Sequence, residues 1–234
     1  MEKKKLLIYA HYYYPDVAST GQILKELAEG MIDLFDIHVI CVVPSYGGVV
    51  NKRYENQKYY RENINGVKIL RINVPEFDKA DKKSRIKNIF SYFIRAIYAT
   101  FMVGPQDYIF AISQPPILGG LLGVLGKWIK HAKFIYNIQD FNPEQIVAVE
   151  YIKNHLILKI MMALDKFSCR QSDLVITVGR DLVQRMNIRF GSKKIPKTIM
   201  INNWIDEKNI YPLSPEDENV IAFKEKYGLE NKLV

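Results

Sequence analysis

The sequence predicts an α/β fold: a doubly wound, mostly parallel sheet with helices on both faces. Three observations lead there. Strand-like and helix-like patterns alternate along the 234 residues, the order expected of parallel strands joined by crossover helices. The strand-like runs are too apolar to face water on either side, as strands covered on both faces are. Apolar residues make up 48% of the chain, enough to fill the core of a large sheet domain.

The elements follow in order. Leu6 to Ala10 is a continuous apolar run and reads as a buried first strand. Ile23, Leu24, Leu27, Ala28, Met31 and Ile32 then repeat at helical spacing. Ile37 to Val43 is a second strand, Pro44 to Gly48 a loop, and Val67 to Ile72 a strand behind the turn Asn65-Gly66. A helix is expected over 84–102, a strand at Tyr108 to Ile112, a helix from Ile117 and a strand at 133–138. A helix over 156–170, a strand at Leu174 to Val178, a helix from Arg180 and a strand at Thr198 to Ile201 complete the alternation. No internal repeat or low-complexity segment interrupts it.

Pro215 to Tyr227 reads as a helix closed by Gly228, and Leu229 to Val234 as the opening of another strand. Domains seldom stop inside a buried strand. The expected organisation is therefore one domain over 1–205, then 206–234 as a linker and the start of a second domain.

The longest apolar run, Ile117 to Gly126, is followed by Lys127 and Lys130 and falls short of the roughly 20 residues of a membrane span. The charged Glu2 to Lys5 and the short apolar stretch behind them do not form a secretory signal. Cys41 and Cys169 lack metal-ligand spacing and read as buried thiols, and His11, His38, His131 and His155 are scattered. Cytoplasmic location and no bound metal are expected.

Net charge is +8, with a concentration at Lys79, Lys82, Lys83, Arg85 and Lys87 ahead of Ile86, Ile89, Phe90, Phe93, Ile94, Ile97, Tyr98, Phe101 and Met102. A basic head with an aromatic stripe suits an interfacial helix on an anionic membrane. An ordinary core helix with a solvated basic start has the same pattern. Nucleic acid is not expected as a partner, because no reading motif accompanies the charge.

Two loops carry the candidate chemistry. Behind the apolar Lys133 to Tyr136 lies Asn137-Ile138-Gln139-Asp140-Phe141-Asn142-Pro143-Glu144, an acidic turn at the carboxyl end of a strand, where open sheets bind ligands. The same residues also start a helix well. The first strand-to-helix loop runs His11-Tyr12-Tyr13-Tyr14-Pro15-Asp16-Val17-Ala18-Ser19-Thr20-Gly21 and lacks the three glycines of a dinucleotide fingerprint. Ser19 or Thr20 would cap the helix. Gly21 would let a phosphate approach the first amides, or simply sit in a capped turn. A helix start tolerates most residues, so a larger side chain at Gly21 is expected to leave the fold intact.

Tyr14-Pro15-Asp16 with Gly21 and Glu26-Leu27-Ala28, the paired prolines after Ser113-Gln114, the turn Gln139 to Glu144, and Asn203-Trp204-Ile205-Asp206 occur in that order. Together they resemble the N-terminal, acceptor-binding half of a family-four glycosyltransferase of the GT-B fold, nearest the branch that builds colanic acid, O-antigen and capsule. The resemblance covers essentially the whole chain.

It implies a Rossmann-like domain of a retaining enzyme that moves a hexosyl or N-acetylhexosaminyl group from a nucleotide sugar to a lipid-linked glycan, without metal or other cofactor. The matching positions give Thr20 and Gly21 to the donor diphosphate. Asp140 goes to the donor sugar, where it hydrogen-bonds a hydroxyl or balances charge at the anomeric carbon, Glu144 to the acceptor pocket, and Asn203 and Asp206 to the hinge or to ligand. Tyr13, Tyr14, Ser45, Tyr46 and Gln114 are acceptor-pocket candidates. Basic groups and glutamates for the donor belong to the family's second domain, so this stretch alone is expected to be inactive. Acceptors of the family at the inner face of the bacterial membrane favour peripheral docking through Lys82, Lys83, Arg85, Lys87, Phe90 and Phe93. The competing reading is a non-catalytic doubly wound module that binds a nucleotide or partner in the same crevice.

Overall fold

The computed structural model describes residues 2–16, 18–46, 50–78, 81–148, 154–191, 193–207, 210–229 and 232, with the side chains of 146–148 excepted. Lys79, Val17, the end of the Pro44 to Gly48 loop, residues 208–209 of the expected linker and most of the expected strand from Leu229 lie outside the described residues. The chain falls into two compact units, residues 1–202 and 203–234.

The first unit is the predicted doubly wound fold. Its strands are β1 (Lys4–Tyr9), β2 (Phe35–Val42), β3 (Tyr59–Ile64), β4 (Val67–Ile72), β5 (Tyr108–Ile112), β6 (Lys133–Ile138), β7 (Leu174–Thr177) and β8 (Thr198–Met200). The helices are α1 (Ser19–Gly30), α2 (Lys82–Met102), α3 (Leu118–Lys130), α4 (Asn142–Ala148), α5 (His155–Gln171) and α6 (Arg180–Phe190). One sheet runs β3-β4-β2-β1-β5-β6-β7-β8. Every neighbouring pair is parallel except β3 with β4.

The two-residue period of a strand divides the core in two. Leu7, Tyr9, Ile40, Val42, Leu70 and Ile72 point to one face, where Tyr92 and Ala96 of α2, Leu122 of α3, Cys169 of α5 and Met186 of α6 cover them. Leu6, Ile8, Ile37, Val39, Val67 and Ile69 point to the other, against Leu24 and Ala28 of α1. Both cysteines are buried and free. The close seat of α3 requires glycine, because a Cβ at Gly123 would collide with the Phe134 ring.

One strand and one helix start depart from expectation, and the acidic turn takes its helix-start reading. β3 is not in the sequence reading: it is an edge strand with Arg61 and Asn63 exposed, so it lacks the apolar run by which the others are recognised. It pairs with β4 through Asn65-Gly66, whose φ values of 50° and 86° give the tight hairpin that Asn-Gly favours. The turn after β6 is itself a helix start, since α4 begins at Asn142. The last helix, α7 (Glu218–Tyr227), belongs to the second unit and begins three residues later than predicted, where the Asp217 side chain accepts from Asn219 N.

Candidate functional site

Strand order reverses between β1 and β5: α1 carries the chain from β1 to β2 on one side, and the later crossovers step outward from β5 on the other. The crevice beyond the carboxyl ends of these strands is the place where open sheets hold ligands. Thr20 and Gln114 meet across it, the threonine hydroxyl donating to Gln114 Oε1 at 3.1 Å. This bond joins the start of α1 to the loop after β5. It also replaces the expected cap, since Ala18 is the N-cap residue of α1 and no side chain caps the helix. The first amides of α1 are thus left for water or an anion, at the positive end of the helix dipole.

Gly21 is buried in the first turn of α1. A Cβ there would lie 3.3 Å from the Tyr12 carbonyl oxygen and 3.4 Å from Tyr13 Cα, so the helix start and the aromatic loop touch through their backbones. The expected tolerance of larger residues is therefore corrected, because the neighbour is main chain, which yields less than a side chain. Gly21→Val should lower the unfolding free energy by about 1–3 kcal/mol through overpacking, with a smaller loss in Gly21→Ala, where the gain in helix propensity offsets the same Cβ contact. Urea denaturation of both variants measures this, and an unchanged midpoint in the valine variant would contradict the contact.

Two charged side chains set the shape of the aromatic loop. Asp16 accepts from the amides of Ser45 (3.1 Å) and Tyr46 (3.0 Å), tying it to the loop after β2. Burial raises the Asp16 pKa, opposed by those amides and by Arg71. Arg71, fully buried, donates to the Tyr14 carbonyl at 2.7 Å and to Glu62 Oε2 at 2.6 Å. Of the acceptor candidates here, Tyr13 is 1% exposed and packs in the core, so its ring presents no surface to a ligand. Tyr14 is exposed with Lys25 over its ring, Ser45 is buried, and Tyr46 is open to the crevice at 37% exposure.

The acidic turn is fastened to the same crevice. Ser113 accepts from Gln139 N at its hydroxyl (3.1 Å) and from Asn142 Nδ2 at its carbonyl (2.8 Å). Asp140 is exposed. Glu144 is half-buried and turned inward, with Oε1 3.0 Å from Arg189 Nε. Arg189 reaches Asp165 Oδ2 at 2.6 Å and lies 4.2 Å from the centre of the Phe141 ring, and Asp165 accepts from the Tyr136 hydroxyl at 3.0 Å. Glu144 therefore holds the turn against α5 and α6.

A cavity of about 280 Å³ opens next to the aromatic loop, lined by His11, Tyr12, Tyr46, Phe77, Arg85 and Asn88. His11 is 7% exposed, with ring centres 4.4 Å from Tyr12 and 4.8 Å from Tyr92. Burial lowers its pKa to about 4, against a hydrogen bond to the Asn88 side chain that favours the protonated ring, so the imidazole is neutral at physiological pH. Among the described residues nothing hydrogen-bonds its Nε2. Sequence reasoning passed over this histidine, since nothing in the spacing of a lone His reports its burial.

Helix α2 settles which residues face the core. Asn88, Tyr92, Ala96, Ala99 and Thr100 are buried, whereas Ile86, Phe90, Ile94, Tyr98 and Phe101 are each more than half exposed. The stripe points outward, and Phe93 sits half-buried at its border. Lys82, Lys83, Arg85 and Lys87 are exposed on its first turns. No helix among the described residues is long and apolar enough to cross a membrane, and none of the described residues form a group of three or more His, Cys, Asp or Glu able to hold a metal. Asn203 and Asp206 lie in the second unit, both exposed.

No protein-family model matches the chain. Over 144 residues it is 23% identical to "Probable glycosyltransferase WbjE" of Pseudomonas aeruginosa, covering 61% of this chain and 35% of that protein. In structure it is similar to sucrose-phosphate synthase of Thermosynechococcus elongatus, with TM-score 0.63, 10% identity, 97% of this chain and 53% of that chain. A second structure of that protein aligns with TM-score 0.52, 9% identity, 96% of this chain and 98% of that chain. The chain thus spans about a third of its curated relative and half of the first structural one. The structural match shows the fold.

Proposed function

We propose that this chain is the N-terminal, acceptor-binding part of a retaining, family-four glycosyltransferase of the GT-B fold, acting in surface polysaccharide assembly. A nucleotide-sugar diphosphate approaches the uncapped start of α1 at Thr20 and Gly21. Asp140 faces the transferred sugar, and the glycan acceptor lies over Tyr46, Gln114 and the aromatic loop. The observation that carries this reading is the Thr20–Gln114 bond across the switch point, with an uncapped helix start on one side and an exposed carboxylate on the other. Asn203 and Asp206 serve the hinge to a second domain, and no metal is required because amides and basic groups hold the leaving diphosphate. Charge develops only when both domains close around it, so residues 1–234 alone should not turn over. The test is transfer of radiolabel from a panel of nucleotide sugars to lipid-linked glycans by the product of the complete reading frame containing this chain. Absence of transfer from every donor, with nucleotide binding retained, favours the non-catalytic module instead.

The outward stripe of α2 is proposed to rest on the inner face of an anionic membrane, with the basic first turns among the headgroups. Each Lys or Arg near the surface contributes on the order of 1 kcal/mol that salt screens. Co-sedimentation with phosphatidylglycerol vesicles should therefore be strong at low salt and weak at high salt. Replacing Lys82, Lys83 and Lys87 with serine should release the protein with little change in melting temperature. Failure of the parent protein to bind anionic vesicles at low salt would remove the membrane from the account.

A further inference from the structure

The cavity beside the aromatic loop joins three kinds of group. Tyr12, Tyr46 and Phe77 bring aromatic faces from the loops after β1, β2 and β4. His11 and Asn88 bring buried hydrogen-bonding capacity, and Arg85 brings charge from the first turns of α2. The volume, about 280 Å³, is near the lower end of the roughly 300–1,000 Å³ of small-molecule sites, which suits one sugar ring rather than an extended ligand.

We propose that this cavity binds the anionic end of a saccharide, with a ring hydroxyl on His11 Nε2, the ring against the aromatic side chains, and a carboxylate or phosphate facing Arg85. The assignment rests on the glycosyltransferase reading and gives its acceptor a chemical class.

Each part has its own support. A buried polar atom is normally hydrogen-bonded, and one without a partner calls for an explanation. His11 is more than nine-tenths buried, its ring is held between Tyr12 and Tyr92, and its Nε2 has no partner among the described residues. A hydroxyl suits it, since it donates or accepts as the imidazole tautomer requires. Burial keeps the imidazole neutral, so it supplies direction rather than charge. Charge falls to Arg85, which is exposed and, among the described residues, ion-paired with no carboxylate. The Asp16 carboxylate accepts from the amides of Ser45 and Tyr46 rather than pairing with Arg85.

The 234-residue chain, labelled with ¹³C at histidine Cε1, gives four signals to follow, and His11→Gln assigns one of them. Methyl β-glucuronoside, glucose 1-phosphate and methyl β-glucoside are titrated separately at pH 7. The expected result is a saturable shift of the His11 signal with at least one anionic sugar, at an affinity 10-fold or more above that of the neutral glycoside. The glucuronoside and phosphate arms decide between the two anions. Arg85→Gln should abolish the preference while the His11 signal of the free protein stays in place. Equal affinity for the neutral glycoside, shifts confined to other histidines, or no shift with any probe would each overturn the proposal. If the complete enzyme transfers sugar while His11→Gln and Arg85→Gln leave the acceptor KM unchanged, this inference fails and the transferase reading stands. If the His11 signal responds but no nucleotide sugar is used, the anionic-sugar site stands and the transferase reading fails.

Discussion

In the complete enzyme, Asp140→Asn should lower turnover by about 100-fold or more, with the donor KM changed far less. The carboxylate is exposed at the crevice, on a turn held by Ser113 from the neighbouring strand end. A charge placed there is pre-positioned, so it acts on charge developing in the transition state without reorganising. Asparagine keeps the size and loses the charge, which separates electrostatics from packing. Steady-state transfer kinetics check this, and parent-like turnover in a folded Asp140→Asn enzyme would take the carboxylate out of the chemistry.

The second large effect is on stability. Arg189→Met should lower the unfolding free energy by about 3–5 kcal/mol, because it leaves the buried Asp165 and the half-buried Glu144 without their cation. The arginine is 2% exposed at its side chain, reaches both carboxylates and stacks on Phe141. Adding Asp165→Asn to Arg189→Met should recover part of the loss, since one uncompensated charge is then gone. Guanidinium denaturation of the single and double variants gives both numbers. A loss below about 1 kcal/mol in the single variant would mean that the network does not hold the acidic turn.

The parallel strands were readable because burial on both faces leaves a local trace: Leu6 to Ala10 and Tyr108 to Ile112 are apolar throughout. Edge strand β3 leaves no such trace. For α2 the pattern identified a helix but not its inner face. Large side chains occupy most of its circumference, and the face that packs on the sheet includes Ala96, Ala99 and Thr100, small residues that permit close approach. The loops of the crevice were readable by their place after strands. Their internal bonding was not, because Thr20 and Gln114 are 94 residues apart, and Glu144 and Arg189 meet only through the packing of α4 on α6. Glu144 therefore resembled a site residue in sequence while folding inward. His11, in a run of aromatics, gave no sign of being the buried polar atom of a cavity.

That sugar transfer takes place where β1 and β5 diverge is the centre of this account, and amide hydrogen exchange on the complete enzyme tests it most directly. With nucleotide sugar and acceptor bound, protection should rise at residues 18–21, 113–114 and 139–140, and the Asp140→Asn enzyme should show the same footprint without turnover. Active transfer with exchange at all three segments unchanged would contradict the account.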